Sequence, residues 1–190
     1  MSVVTGTAPT TYPVSLDEVK AHLNLDGISS DDNYLSQMLI PAATQWAENL
    51  TRRVFISRTL VERTRTFEAV HEFRYPPLLT VTSIEYLDTD GALQTLATSI
   101  YDVDQYSTPG RVLLAYGQAF PQIRQQENAV IYTYTAGYAT IPSDVKSAIL
   151  LVIGHLYENR ENVTMGIKGE QLPMGAEHLL QYYKMPRGPE

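Results

Sequence analysis

The chain has 190 residues, 44% of them hydrophobic, which suits one domain with a sizeable core or one domain carrying an inserted subdomain. A formal net charge of -7 argues against a general nucleic-acid-binding surface, since phosphate contacts need clustered Lys and Arg. The absence of cysteine excludes disulfides, thiolate nucleophiles and Cys-ligated zinc, and the sequence has neither an apolar run of the roughly 18 residues a membrane span needs nor a basic-then-apolar leader, so a soluble, unexported protein is expected.

Residues 1–14 are small, Thr-rich and free of charged side chains, with Pro9 and Pro13 as breakers, and read as a flexible arm. Ser15 and Glu18 form a capping box that opens a short helix to about Leu23, with Val14 placed as its hydrophobic staple. Asp26-Gly27 breaks the chain, and a second helix is expected from about Ser30 to Arg52, with Asp31 and Asp32 in its first turn as dipole partners. Tyr34, Leu35, Met38, Leu39, Ala42, Ala43, Trp46, Ala47 and Leu50 recur at helical spacing along it. Pro41 interrupts that stripe and predicts a kink.

From Val54 onward the helical period gives way to short β-branched and aromatic runs. Strands are expected within residues 57–67, 81–87, 101–104, 111–115 and 129–135. The turn Asp88-Thr-Asp-Gly91 should close a hairpin with residues 93–96. That turn also resembles the start of a calcium loop, but the bidentate Glu is missing at the required spacing. Gly137 ends the β region. Residues 142–162 then carry a helix with Ser143 as N-cap, Asp144 in the first turn and an apolar arc of Val145, Ile149, Val152, Ile153, Leu156 and Tyr157. Leu150 and Leu151 widen the arc, so this helix should pack on more than one neighbour, inside the subunit or across subunits, and on residues 34–50 in particular. Residues 164–172 read as mobile, 176–183 as a short helix and 184–190 as a flexible tail.

The order of elements implies an α+β fold: a small helical core of about four helices, residues 15–53 and 142–183, interrupted by an antiparallel β-sheet insertion at residues 54–137. Chemistry is sparse. His155 and Glu158 lie one helical turn apart, but a lone His-x-x-Glu without a second copy reads as polar packing or a subunit contact rather than a metal site. Helix capping accounts for Asp31 and Asp32 without a catalytic role, and no nucleophile elbow, phosphate loop or dinucleotide fingerprint occurs. Nothing marks an enzyme or a cofactor. The thirteen tyrosines, some adjacent on strands (Tyr132, Tyr134) or paired in the tail (Tyr182, Tyr183), suit either interfaces or ordinary packing.

Several segments together carry a family resemblance: P-V-S-L-D-E-V-K-A-H-L from Pro13, D-D-N-Y-L from Asp31, A-A-T-Q-W-A-E-N-L-T-R-R from Ala42 and P-P-L-L-T-V-T-S-I-E-Y-L-D-T-D-G from Pro76. They continue with Y-T-A-G-Y from Tyr134, I-P-S-D-V-K-S-A-I-L-L from Ile141, H-L-Y-E-N-R-E from His155 and L-P-M-G-A-E-H-L-L from Leu172. In that order they resemble the head-tail connector (adaptor) family of tailed phages, the type bearing a β insertion found in phages, prophages and gene transfer agents.

The resemblance implies a structural role in the virion neck, assembled in the host cytoplasm. Copies would form a homo-oligomeric, twelve-fold ring under the portal protein, receive a stopper or tail-completion protein on the opposite side and let DNA pass without specific binding; membranes play no part. A stopper or tail terminator is the alternative. By matching positions, Leu172, Pro173, Met174, Leu179, Leu180, Tyr182 and Tyr183 would face the portal, so removal of residues 172–190 should spare the fold. Trp46, His155, Glu158, Arg160 and Glu161 would face the next subunit, so loss of Glu158 and Arg160 should weaken assembly rather than folding.

Overall fold

A computed structural model describes residues 2–5, 11–160 and 174–186. The chain divides into two compact units: a β-rich unit of Met1–Pro9 with Ile56–Ala139, and a helical unit of Thr10–Phe55 with Thr140–Glu190.

The helical unit opens with α1 (Leu16–His22), whose Ser15 hydroxyl accepts from the Glu18 amide while the Glu18 carboxylate accepts from the Ser15 amide, the reciprocal cap expected from the sequence. Val14 and Val19, the positions of a hydrophobic staple, are both buried. The second helical run comprises a single turn α2 (Asp32–Tyr34), a π-helical segment (Leu35–Leu39) and α3 (Ile40–Thr51). Pro41 takes a first-turn position of α3, where its missing N–H and fixed φ are least costly. The widened turn just before it, in which the Ile40 amide donates to the Leu35 carbonyl, replaces the simple proline kink expected at that point.

The main helix α4 (Ser143–Glu158) buries Val145, Ala148, Ile149, Val152 and Ile153 and packs on α3 and on a later helix, α5 (Met174–Leu180), so its wide apolar arc finds two neighbours within the subunit. Each fully buried Val or Ile side chain contributes about 1.5–3 kcal/mol relative to exposure. Ser143 is the first helical residue rather than the cap; Pro142 holds the cap position in extended conformation with no side-chain bond. After α5, Gln181–Tyr183 form a short 3-10 turn.

The β-rich unit contains a five-stranded antiparallel sheet in the order β1-β2-β8-β4-β5, from β1 (Ser2–Thr5), β2 (Arg58–Thr64), β4 (Leu78–Leu87), β5 (Leu93–Thr95) and β8 (Val130–Ala136). A second sheet, ordered β3-β7-β6, joins β3 (Val70–Glu72), β6 (Tyr101–Asp104) and β7 (Arg111–Leu114). The β4-β5 hairpin forms as expected, and Asp88 ties its turn by accepting from the Ala92 amide at 2.8 Å, the Asp90 amide at 3.1 Å and the Gln94 side chain at 2.9 Å. Strand β3, three residues long and with no turn signal to mark it as the Asp88 turn marks β5, was not legible in the sequence.

Both ends of the chain depart from the flexible segments expected there. Ser2–Thr5 pair antiparallel with β2, Thr5 opposite Leu60, so the Val-Val-Thr run that lacks charge supplies an edge strand rather than an arm; Val14 is buried, and residues 6–10 lie outside the described ones. At the other end the Met185 amide donates to the Thr51 carbonyl at 3.0 Å and Arg53 reaches the Met185 sulfur at 3.5 Å, which fixes the start of the supposed tail on the helical unit. Residues 161–173 and 187–190, including the segment read as mobile, lie outside the described residues.

Between the two sheets an aromatic cluster fills the core: Phe73 packs on Tyr134 with ring centres 4.3 Å apart, and Tyr132 stacks on His71 at 4.0 Å. Tyr132 and Tyr134 are therefore packing residues, both buried. Gly137 has φ +135 and lies so close to Ile56 and Ser57 that an added Cβ would collide with their backbone. Gly137→Ala should therefore destabilise the protein by more than about 1 kcal/mol, read as a lower midpoint in chemical denaturation; an unchanged midpoint would show that the β2-β8 junction yields freely.

Candidate assembly surfaces

The charged end of α4 is engaged within its own subunit. Asp31, just ahead of α2, accepts a hydrogen bond from the Tyr157 hydroxyl at 2.6 Å and from the Arg160 guanidinium at 2.7 Å. The guanidinium also lies over two rings, 4.8 Å from the centre of Tyr34 and 4.5 Å from that of Tyr157. The Tyr157 hydrogen bond first, and the Arg160 contacts second, hold the Asp31 carboxyl below its ordinary range. Two further pairs lace the same unit, Lys20 with Asp32 at 2.8 Å and Lys146 with Glu18 at 2.7 Å. Asp31 and Asp32 thus act as long-range partners; Asp31 at the cap position makes no side-chain cap bond, while Asp32 sits in the first turn as the dipole reading expects.

Of the residues expected at a subunit contact, Arg160 is committed to the Asp31 node while staying partly exposed. His155 is half-buried, with its carbonyl accepting from the Asn159 side chain at 3.0 Å, and Glu158 is exposed. Glu161 lies outside the described residues. Trp46 is half-buried on α3, and the exposed positions around it, Met38, Ala42, Gln45 and Asn49, carry no charge; Glu48, the acid of this helix, is buried and accepts from the Phe55 amide at 3.0 Å. A helix face without charge suits a protein interface better than open solvent.

The C-terminal segment is similarly divided. Ala176 and Leu180 are fully buried, and Arg53 donates to the Tyr183 carbonyl at 2.7 Å, so α5 belongs to the helical core. The expectation that residues 172–190 can be removed without disturbing the fold is corrected by this packing. Glu177, His178 and Gln181 are exposed, Leu179 and Tyr183 are half-buried, and Tyr182 is 90% exposed. Leu172 and Pro173 lie outside the described residues, and of Met174 only the helical backbone is described.

No convergent chemistry accompanies these surfaces. Among the described residues no group of three or more His, Asp or Glu could hold a metal ion, and no helix is long and apolar enough to cross a membrane. An open depression of about 450 Å³ on the β-rich unit is lined by Thr66, Phe67, Phe120, Pro121, Gln122, Ile123 and Gln125, none of which titrates in the physiological range. The Asp31 node was not readable from the sequence because its members, Asp31, Tyr157 and Arg160, are far apart in the chain and capping already offered Asp31 a local role.

Asp31→Ala should lower the melting temperature at pH 7, and a double-mutant cycle with Arg160→Ala should return less than the sum of the single effects. Because the folded carboxyl is depressed, its contribution is present above the ordinary Asp range and lost as pH falls through the folded value; variant and wild type should converge below about pH 4. Additive effects would dissolve the node.

A sequence model described as head completion protein matches residues 14–184. Among solved structures, a chain in the neck of an empty gene transfer agent particle computed with C6 symmetry superposes with a TM-score of 0.79 at 22% identity, covering 100% of this chain and 98% of that one. A chain in the virion of a native gene transfer agent particle gives 0.79 at 22%, and one in the neck of a native particle computed with C12 symmetry gives 0.76 at 22%, both with the same coverage. No curated protein matched the sequence.

Proposed function

We propose that this chain, which belongs to the head completion protein family, is a non-enzymatic structural component of the neck that joins the head of a phage or gene transfer agent particle to its tail. The observation that carries this reading is the family match across almost the whole chain, supported by a fold shared end to end with chains of gene transfer agent necks. Within the neck it acts as the adaptor: copies form a closed heterologous ring under the portal, and DNA traverses the ring without specific binding. The symmetries of the similar necks, C12 and its subgroup C6, accord with a twelve-fold ring. The net charge of -7 favours a passage to which DNA does not adhere.

Two surfaces serve assembly. The uncharged face of α3 around Trp46, with the exposed end of α4 at His155 and Glu158, meets the neighbouring subunit, whereas Arg160 contributes by holding that end in place through Asp31. The exposed side of the C-terminal segment, centred on Tyr182 with Leu179 and Tyr183 beside it, meets the portal; Leu180 supports it from below. An exposed tyrosine offers a large apolar ring and a hydrogen-bonding tip at low entropic cost, which suits it to a contact anchor.

Mixing the purified chain with portal rings tests the reading by co-elution. Wild type should co-elute; Tyr182→Ala should lose co-elution with its melting temperature unchanged, whereas Leu180→Ala should destabilise the fold by about 2–5 kcal/mol. Wild type that never binds a portal would refute the adaptor role, and Tyr182→Ala that binds normally would move the docking surface elsewhere.

A further inference from the structure

The core of the β-rich unit holds two ionisable side chains that no assembly surface uses. Glu62 on β2 and His71 on β3 are both 0% exposed, and Glu62 Oε1 lies 3.9 Å from His71 Nε2. Among the described residues, neither that oxygen nor either ring nitrogen of His71 has a hydrogen-bond partner. The other carboxylate oxygen accepts two long bonds, from the Tyr134 hydroxyl and the Arg74 amide, each at 3.4 Å. The imidazole lies flat on Tyr132, 4.0 Å between centres at 5°, with the edge of Phe73 against it at 5.2 Å. Both groups are thus enclosed by the two sheets.

We infer that Glu62 and His71 share one proton, and that this proton fastens the three-stranded sheet to the five-stranded sheet. With one proton the pair is neutral overall, either as a carboxylic acid donating to Nε2 or as an imidazolium donating to the carboxylate; closing the 3.9 Å gap by about 1 Å makes that hydrogen bond and satisfies two orphaned atoms. With that proton gone the buried pair carries a net negative charge, and the single N–H of the neutral ring can sit on Nε2 toward Glu62 only by turning the Nδ1 lone pair toward Glu68, so the charge is costly in an apolar core. With two, the extra positive charge on the ring has the Glu68 carboxylate 3.6 Å from Nδ1 to offset it. Loss of the proton is therefore the state that opens the sheets, and the device is a lock released by alkali.

The surrounding groups leave this conclusion intact. Facing the pair are Glu68 from the β2-β3 turn, Arg74 after β3, and Tyr132 and Tyr134 on β8. Burial raises Glu62 to about 7, and burial lowers His71 while Glu68 opposes that shift. A raised carboxyl contributes stability that is present below its unfolded value and lost as pH rises through about 7; a lowered imidazole contributes stability present above its unfolded value and lost as pH falls through the folded one. The singly protonated pair occupies the overlap near neutrality.

The test follows the melting temperature of the full chain, and amide exchange of β2 and β3, from pH 5 to pH 9, with exchange corrected for its intrinsic pH dependence. Wild type should lose melting temperature as pH rises through about 7 and level off before pH 9, with exchange in β3 rising over the same interval. Glu62→Gln should abolish that limb and exceed wild type at pH 9. His71→Phe, which retains a flat ring on Tyr132, should keep the alkaline loss and remove the acid one. Parallel alkaline limbs for wild type and Glu62→Gln would overturn the inference. Should either variant fail to fold, carboxyl and imidazole NMR titration of wild type decides: two coupled shifts support the shared proton, and independent titration of Glu62 in the ordinary carboxylate range refutes it.

Discussion

The helical unit depends on α4 burying its apolar arc against partners far away in the chain. Helix α3 ends at Thr51 and α4 begins at Ser143, with the whole β insertion between them. The insertion can be tolerated because its first long strand and its last one pair with each other: Arg58 stands opposite Ala136, and Ile56 bridges Tyr138, so the chain leaves and returns at neighbouring points. Gly137 makes that close return possible, since no side chain fits where its α-carbon meets Ile56 and Ser57. Closure of one unit thus sets the ends from which the other is completed.

On that frame the two proposed assembly surfaces share a common logic, in which a buried or ion-paired residue holds an exposed one in position. Arg160 and Tyr157 direct polar atoms to Asp31, while the neighbouring Glu158 stays exposed and His155 half-buried. Leu180 anchors the C-terminal segment while Tyr182, two residues on, stands 90% exposed. A ring subunit needs rigid contact surfaces, because small errors in angle accumulate around a closed ring. Ion pairs such as Lys20–Asp32 and Lys146–Glu18 bring modest stability individually, and their value lies in fixing how α1 sits against its neighbours.

What the sequence revealed was governed by range. Local patterns were readable: the Ser15 and Glu18 cap, the periodic face of α4, the Asp88 turn and the alternating strand β8, whose buried positions follow the two-residue period. Features that depend on distant partners were not. Ser2–Thr5 became a strand only because β2 offered a free edge, and Ala176 and Leu180 became core only because Thr51, Arg53 and α4 received their segment. The node at Asp31 and the pair Glu62 and His71 lie in the same class, since no spacing rule links an acid on one strand to an imidazole on another. For the proposed assembly surfaces, the family resemblance supplied the positions, and burial sorted which of them are exposed.

The most direct test is imaging of the chain assembled on a purified portal, with rotational order measured layer by layer. The expected result is a twelve-fold ring of this chain in direct contact with the portal, its C-terminal segments turned toward it. A ring that sits one layer further from the head, with another protein between, would contradict the adaptor assignment in favour of a stopper or terminator, and a particle whose neck lacks the chain would contradict the neck role altogether.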